Sequence, residues 1–313
     1  MKYFIITIDT EGDNLWSWKD GEEITTKNTR YLSRFQNVCE KYGFKPVWLS
    51  NFEMINDDLY TDFIKDVIER GTGECGMHLH AWNNPPFYDL KKENDAAPYL
   101  IEYPDAIIEE KIDFLTRLIK KRIGVTPVSH RAGRWATNNI YFRILKKHGY
   151  LVDCSYTPTI NWERTKGRTG CSKGTNYKCV KLKAQKIEPG LIELPVTIKK
   201  THAFFWPEHV SFRNIVKQIL YSIKGQSVWL RPNGNNLKQM KWLVKNNKNN
   251  DYVMFMIHSS ELMPGGSPTF KTMDSIEKLY SDLENLFSYA ASMQYRGITL
   301  KEYYDKFALN KDY

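Results

Sequence analysis

The 313-residue sequence predicts an α/β fold: a distorted barrel of seven or eight β/α repeats, one domain over 1–313, with an irregular, loop-rich basic insertion at about 157–190. Three observations lead there. Short apolar runs alternate with segments whose apolar residues recur every three or four positions, as strands alternate with helices. The alternation repeats about seven or eight times; right-handed crossovers make such an order a parallel sheet, and this number of repeats favours a barrel over an open sheet. The unusual polar residues Asp9, Glu11, His78, His80, Arg131, Asp153 and His258 all fall at C-terminal ends of expected strands, where a β/α barrel builds its site.

Taken in order, residues 3–8 form an apolar run that stops at Asp9. Tyr31, Leu32, Phe35, Val38, Cys39 and Tyr42 then share one helical face. Residues 46–49 form the second strand, and Leu59, Phe63, Ile64, Val67 and Ile68 mark a helix stopped by Gly71. The third strand is 75–80. After a loop containing Pro85, Pro86, Pro98 and Pro104, a long helix carries Ile107, Ile108, Ile112, Leu115, Leu118 and Ile119. Strand 128–130, helix 138–148 and strand 151–155 follow. From 157 to about 186 the periodicity fails among Gly167, Gly170 and Gly174, which defines the insertion. A strand at 192–196, helices at 212–223 and 237–245, and an apolar strand at 252–257 running into His258 come next. A helix at 275–293 and a strand-helix pair at 297–307 close the chain.

Composition excludes several classes. With 42% hydrophobic, 26% charged and 14% aromatic residues, the chain is neither disordered, collagen-like nor coiled coil. Its apolar runs are far shorter than the ~20 residues of a membrane helix, and no secretory leader is legible, so the cytoplasm is the expected compartment. Cys39, Cys75, Cys154, Cys171 and Cys179 are odd in number and lack the two-residue spacing of a zinc knuckle or redox motif; they read as reduced, mostly structural thiols. The net charge of +9 is unevenly placed: residues 164–250 hold 18 Lys+Arg against 3 Asp+Glu. Such a segment is either a solvated surface or one that meets an anion.

His78 and His80, two apart on a strand, leave the same face and can converge on one ion. Glu11 can complete a His-His-carboxylate set with open positions. The competing readings are a hydrogen-bonded histidine pair and, for Asp9 to Asp13, a solvated turn. Arg131 is the natural countercharge for a carboxylate such as Asp9, or else a helix cap or surface ion pair. His258, after six largely apolar residues, is either a core histidine or a functional one, and Asp153 is placed to orient it.

These residues in this order resemble the NodB-type polysaccharide deacetylases, the family 4 carbohydrate esterases. TIDTEGD resembles the first motif, with Asp9 in the place of the catalytic base and Glu11 in that of the metal-binding carboxylate. ECGMHLHAW resembles the second, with His78 matching the first metal histidine. HRAGRWA resembles the third, with Arg131 matching the arginine that holds the base. DCSYTP resembles the fourth, which makes Asp153 the partner of the acid, and Met256-Ile257-His258 resembles the fifth, which makes His258 the general acid. Three departures stand out. Trp82 occupies the usual place of the second metal histidine, so His80 becomes its substitute; an adjacent pair of aspartates becomes Asp9-x-Glu11; and the proline after the third motif's arginine becomes Gly133.

The resemblance implies a metal-dependent carbohydrate deacetylase with a divalent ion, zinc, as cofactor, Asp9 as base and His258 as acid in hydrolysis of an acylated amino sugar. The substrate is a glycan or its nucleotide- or lipid-linked precursor. Trp82, Phe87, Tyr88, Trp135, Trp162 and Trp206 are candidates to stack on sugar rings, about half of them being expected to pack loops instead; Arg134 is a further candidate contact. Arg231 is the expected phosphate contact within the basic segment, or a turn-stabilising surface arginine. Two other classes remain open: an inactive glycan-binding barrel, which would not retain metal, and a nucleic-acid binder, for which no recognition motif accompanies the charge. Neither nucleic acid nor an integral membrane contact is the expected partner, and the sequence leaves the oligomeric state open.

Overall fold

A computed structural model describes residues 1–170, 172–208, 210–247 and 250–309; Cys171 lies outside the described residues. Its strands are β1 (Lys2–Thr10), β2 (Pro46–Ser50), β3 (Glu74–Leu79), β4 (Ser129–Ala132), β5 (Val152–Asp153), β6 (Gln185–Glu188), β7 (Leu191–Glu193), β8 (Ile198–Thr201), β9 (Gln226–Trp229), β10 (Tyr252–His258) and β11 (Tyr295–Gly297). The main sheet runs β10-β1-β2-β3-β4-β5-β7-β6, with β11 also on β1. Every pairing is parallel except β6 with β7. The curled sheet is the distorted (β/α)7–8 barrel that the alternation predicts.

The distortion lies between β7 and β10, where the described residues form no ladder. Irregular chain closes the gap instead: Thr197 N donates to Met254 O (3.3 Å), Met254 N to Thr197 Oγ1 (2.8 Å), and Met256 N to Leu230 O (3.2 Å). These bonds occupy β10 backbone groups that would otherwise be buried without partners.

Helices α1 (Leu32–Lys41), α2 (Phe52–Asn56), α3 (Asp58–Glu69), α4 (Asp105–Ile123), α5 (Asn139–Lys147), α6 (Phe212–Lys224), α7 (Leu237–Lys245), α8 (Met273–Ser292) and α9 (Leu300–Leu309) follow the strands. The period of two sorts β1 between two cores: Phe4, Ile6 and Ile8 pack beneath the helices, and Ile5 packs inside the barrel with Met254 and Met256. Thr7 and Asp9 therefore face inward. By the same parity Cys75, Met77 and Leu79 face the helices, so His78 and His80 face the interior.

Three expectations need correction. The fifth strand is only Val152–Asp153, and the fourth reaches one turn of pleat further, to Ala132. The insertion is irregular only as far as 184, because its end folds back as β6 on β7. The chain also makes an arm that periodicity did not show: β8 and β9 form a separate antiparallel pair with α6 between them.

Candidate active site

Asp9, the penultimate residue of β1, has its side chain buried, and Arg131, fully buried on β4, reaches it with Nη1 to Oδ1 at 2.5 Å. The guanidinium is otherwise held by Thr7 Oγ1 (2.8 Å) and Cys154 O (3.0 Å). Burial works against the Asp9 carboxylate, but Arg131, then His78 and His258, outweigh it and hold its pKa below the ordinary value. The carboxylate is thus kept ionised in a water-poor place.

Glu11, His78 and His80 converge beside it. His78 Nε2 and His80 Nε2 are 2.9 Å apart, and Glu11 Oε2 lies 3.5 Å and 3.2 Å from them. Four donors around a zinc ion at 2.0–2.1 Å would be spaced by about 3.3 Å, so the three residues fit a divalent ion with room left for other ligands. His78 Nδ1 donates to Arg131 O (3.0 Å), which leaves Nε2 as the free lone pair. Burial opposes charge on Glu11 too, yet His258, His78 and His80 hold its pKa well below the ordinary carboxylate range. The substitution pattern around His80 is coherent. Trp82 stacks on the His80 ring (4.4 Å between centroids), and a Cβ at Gly133 would stand 2.6 Å from His80 Cδ2. Glycine where the related motif carries proline makes space for the imidazole.

His258 closes the other side, with Nε2 3.7 Å from Asp9 Oδ2 and 3.9 Å from Glu11 Oε1. Its partner is not Asp153. Val152 and Cys154 face the barrel interior, so Asp153 points to the helix side, where it meets His130 Nδ1 (2.6 Å) and Ser155 Oγ (2.9 Å). His130 in turn contacts Tyr141 of α5 at 2.7 Å. Glu261 takes the expected role: buried in the turn after β10, it accepts from His258 N (2.9 Å) and lies 3.1 Å from Nδ1. Arg231 is engaged with this pair at the cavity wall, 3.0 Å from His258 Nδ1 and 3.2 Å from Glu261.

A cavity of about 400 Å³ opens above these groups. Asp9, Glu11, His78, His80, His258, Trp82, Trp135, Arg134 and Arg231 all line it, with Trp16, Trp18, Tyr99 and Trp162. Trp135 and Arg134 are aimed inward by a turn at φ 62° and 56°, a left-handed conformation uncommon outside glycine. Arg134 is tied to Ala97 O, Lys166 O (2.8 Å) and the Tyr99 ring (4.0 Å), and so bridges the insertion to the barrel. Phe87, Tyr88 and Trp206 stand exposed outside the cavity. Sequence reasoning missed Glu261 and Glu53. The first had a signal, an acid three residues beyond a strand-ending histidine. Glu53, which accepts from Gly12 N (3.0 Å) and so braces the loop carrying Glu11, had none.

Fold and placement together define a distorted (β/α) barrel with a candidate metal centre at its strand ends. No family model and no curated protein matches the chain. Among solved structures it is similar to a protein from Mycobacterium smegmatis assigned as a polysaccharide deacetylase, at 11% identity and TM-score 0.53 over 98% of this chain and 91% of that one. The PuuE allantoinase gives 12% identity and TM-score 0.50 over 99% and 91%. The 4-alpha-glucanotransferase from Thermococcus litoralis gives 14% and 0.55 over 98% of this chain but 41% of its own. The fold implied by the motifs is therefore the fold found. Three differently named activities on one architecture leave the reaction to be argued from the site.

Proposed function

We propose that the protein is a metal-dependent hydrolase that removes an acyl group, N-acetyl in the simplest case, from an amino sugar of a polysaccharide or its precursor. One observation carries the reading: a carboxylate-histidine-histidine donor set stands between a buried, ionised Asp9 and a partly exposed His258 in one aromatic-lined cavity. Glu11, His78 and His80 would hold the ion, for which zinc is our choice, and the ion would supply Lewis acidity toward an acyl oxygen. Asp9 accepts a proton from the attacking water, whose oxygen bonds to the acyl carbon. The carbon-nitrogen bond then breaks, and His258, oriented through Nδ1 by Glu261, protonates the departing amine from Nε2. Trp82, Trp135 and Trp162 offer faces for sugar rings, and Arg134 a fixed donor. With a cytoplasmic location the substrate would be a nucleotide- or lipid-linked precursor.

The test is acetate release from acetylated amino sugars, measured with metal content. His258→Ala should lose roughly 10²- to 10⁴-fold in kcat while retaining its metal. Full activity in that variant would remove His258 from the reaction. Absence of release from every acylated amino sugar, in protein that retains no metal after purification, would favour a glycan-binding barrel; absence of release from protein that does hold metal would overturn the deacylase reading.

A further inference from the structure

Helix α6 is built inside out. Phe212, Val216, Ile219, Leu220 and Ile223 recur at helical spacing on one stripe, and all five are exposed, Phe212 by 85% and Ile223 by 68%. The half-buried side of the helix is instead Asn214, Ile215, Gln218 and Ser222, and no residue of α6 is buried. An ordinary surface helix turns its apolar stripe to the core. Here the arm packs through its polar face and presents the stripe to solvent, with Phe204 and Trp206 exposed on the connection leading into it. A contiguous apolar patch of this kind marks a docking surface.

Charge selects the occupant. Arg213, Lys217 and Lys224 border one edge of the stripe, and from 199 to 245 the sequence holds nine Lys+Arg against one acid, Glu208, which is itself paired with Lys278 at 2.9 Å. An apolar stripe with exposed aromatics and a cationic margin matches the boundary of an anionic bilayer, where the stripe enters the acyl region and long basic side chains stay at the headgroups. We propose that α6 docks the protein on an anionic lipid surface as a peripheral helix lying in the interface. The arm is rooted at the rim of the cavity: Ser227 of β9 bonds Thr159 (2.8 Å), and Trp229 lies against Trp135 and Trp162 at ring distances of 6.3 and 6.4 Å. A protein so docked would have its site beside the membrane surface, suited to a lipid-linked substrate.

The experiment is flotation of the full chain with vesicles of phosphatidylcholine, with and without about a quarter phosphatidylglycerol, at about 0.1 M salt. The protein should bind the anionic vesicles at least tenfold more tightly than the neutral ones. The double variant Ile219→Glu/Ile223→Glu should lose at least tenfold. Replacing Arg213, Lys217 and Lys224 by Gln should weaken binding by about fivefold per cation and remove the preference for anionic lipid. Because these side chains are exposed, circular dichroism and Tm should not change. Equal binding by wild type and double variant, or no binding, would overturn the proposal. So would self-association of the wild type that the double variant loses, since a second copy would then cover the stripe. Vesicle binding is read without turnover and stands apart from the hydrolase reading.

Discussion

At the strand ends the barrel buries five ionisable side chains, Asp9, Glu11, His78, His80 and Arg131, whereas the α6 arm leaves Phe212, Val216, Ile219, Leu220 and Ile223 in water. Each region inverts the usual distribution of polar and apolar groups for a different reason. In the barrel, β1, β3 and β4 are pinned by their ladders and by apolar residues on the helix side, so their inward side chains have no choice of environment. The charges persist because each has a partner of opposite sign or a hydrogen bond. In the arm, β8 and β9 hold α6 off the main sheet, and among the described residues nothing covers its stripe. Buried charge is thus sustained by internal pairing, and exposed apolar surface calls for an external partner.

The largest effect is expected at Arg131. Arg131→Met keeps the volume but leaves Asp9 buried without its main countercharge, and should cost about 3–5 kcal/mol in denaturant unfolding. Because the Asp9 pKa is depressed in the fold, the stability it contributes is present above its unfolded pKa and is lost as pH falls; in the variant that acid-side loss should shrink. A cost below about 1 kcal/mol would show that Arg131 does not hold the carboxylate.

Metal content sharpens the account of the strand ends. His80→Ala and His78→Ala should each lower the affinity for divalent zinc by more than tenfold, and Gly133→Ala should lower it less, through displacement of the His80 ring. Retention of stoichiometric metal by His80→Ala, with its loss in His78→Ala, would mean that another residue completes the set.

The smallest effect is expected at Glu193, buried beside Asp153. Burial first, then the Asp153 charge, push the Glu193 pKa well above the ordinary value, while the hydrogen bonds from His130 and from Glu193 hold Asp153 low despite its burial. Glu193 is therefore the member of the pair that favours the protonated form. A raised folded pKa means that Glu193 contributes stability that is full below its unfolded pKa and declines as pH rises through the folded value. Glu193→Gln removes that decline, so its unfolding free energy should be flatter with pH and should gain on the wild type as pH rises from about 5 to about 8. Parallel pH profiles for the two proteins would show that Glu193 is ionised in the fold.

Much of the site was legible because strand parity is a local property. Asp9 after Ile8, the pair His78 and His80, and His258 after Ile257 were expected at strand ends, and their ladders bring them into one cavity. Asp153 was misassigned although its own neighbours carried the answer. It alternates with Val152 and Cys154, two interior residues, and so had to face His130 rather than His258. Glu261 was overlooked because it lies past the strand, where a turn and not a period decides which way a side chain points. In α6 the apolar period predicted the helix correctly but carried no statement of which side meets protein.

What the sequence alone determined is the order of elements and the face of each strand, because hydrophobic periods and turn residues act over a few positions. Tertiary structure decided which of those faces meet. It placed Glu261 rather than Asp153 against His258, closed the barrel through Thr197 and Leu230 instead of a ladder, and turned the polar side of α6 toward the protein. Each outcome depends on contacts between residues tens to hundreds of positions apart or on irregular chain without a period, and no local pattern encodes such distances.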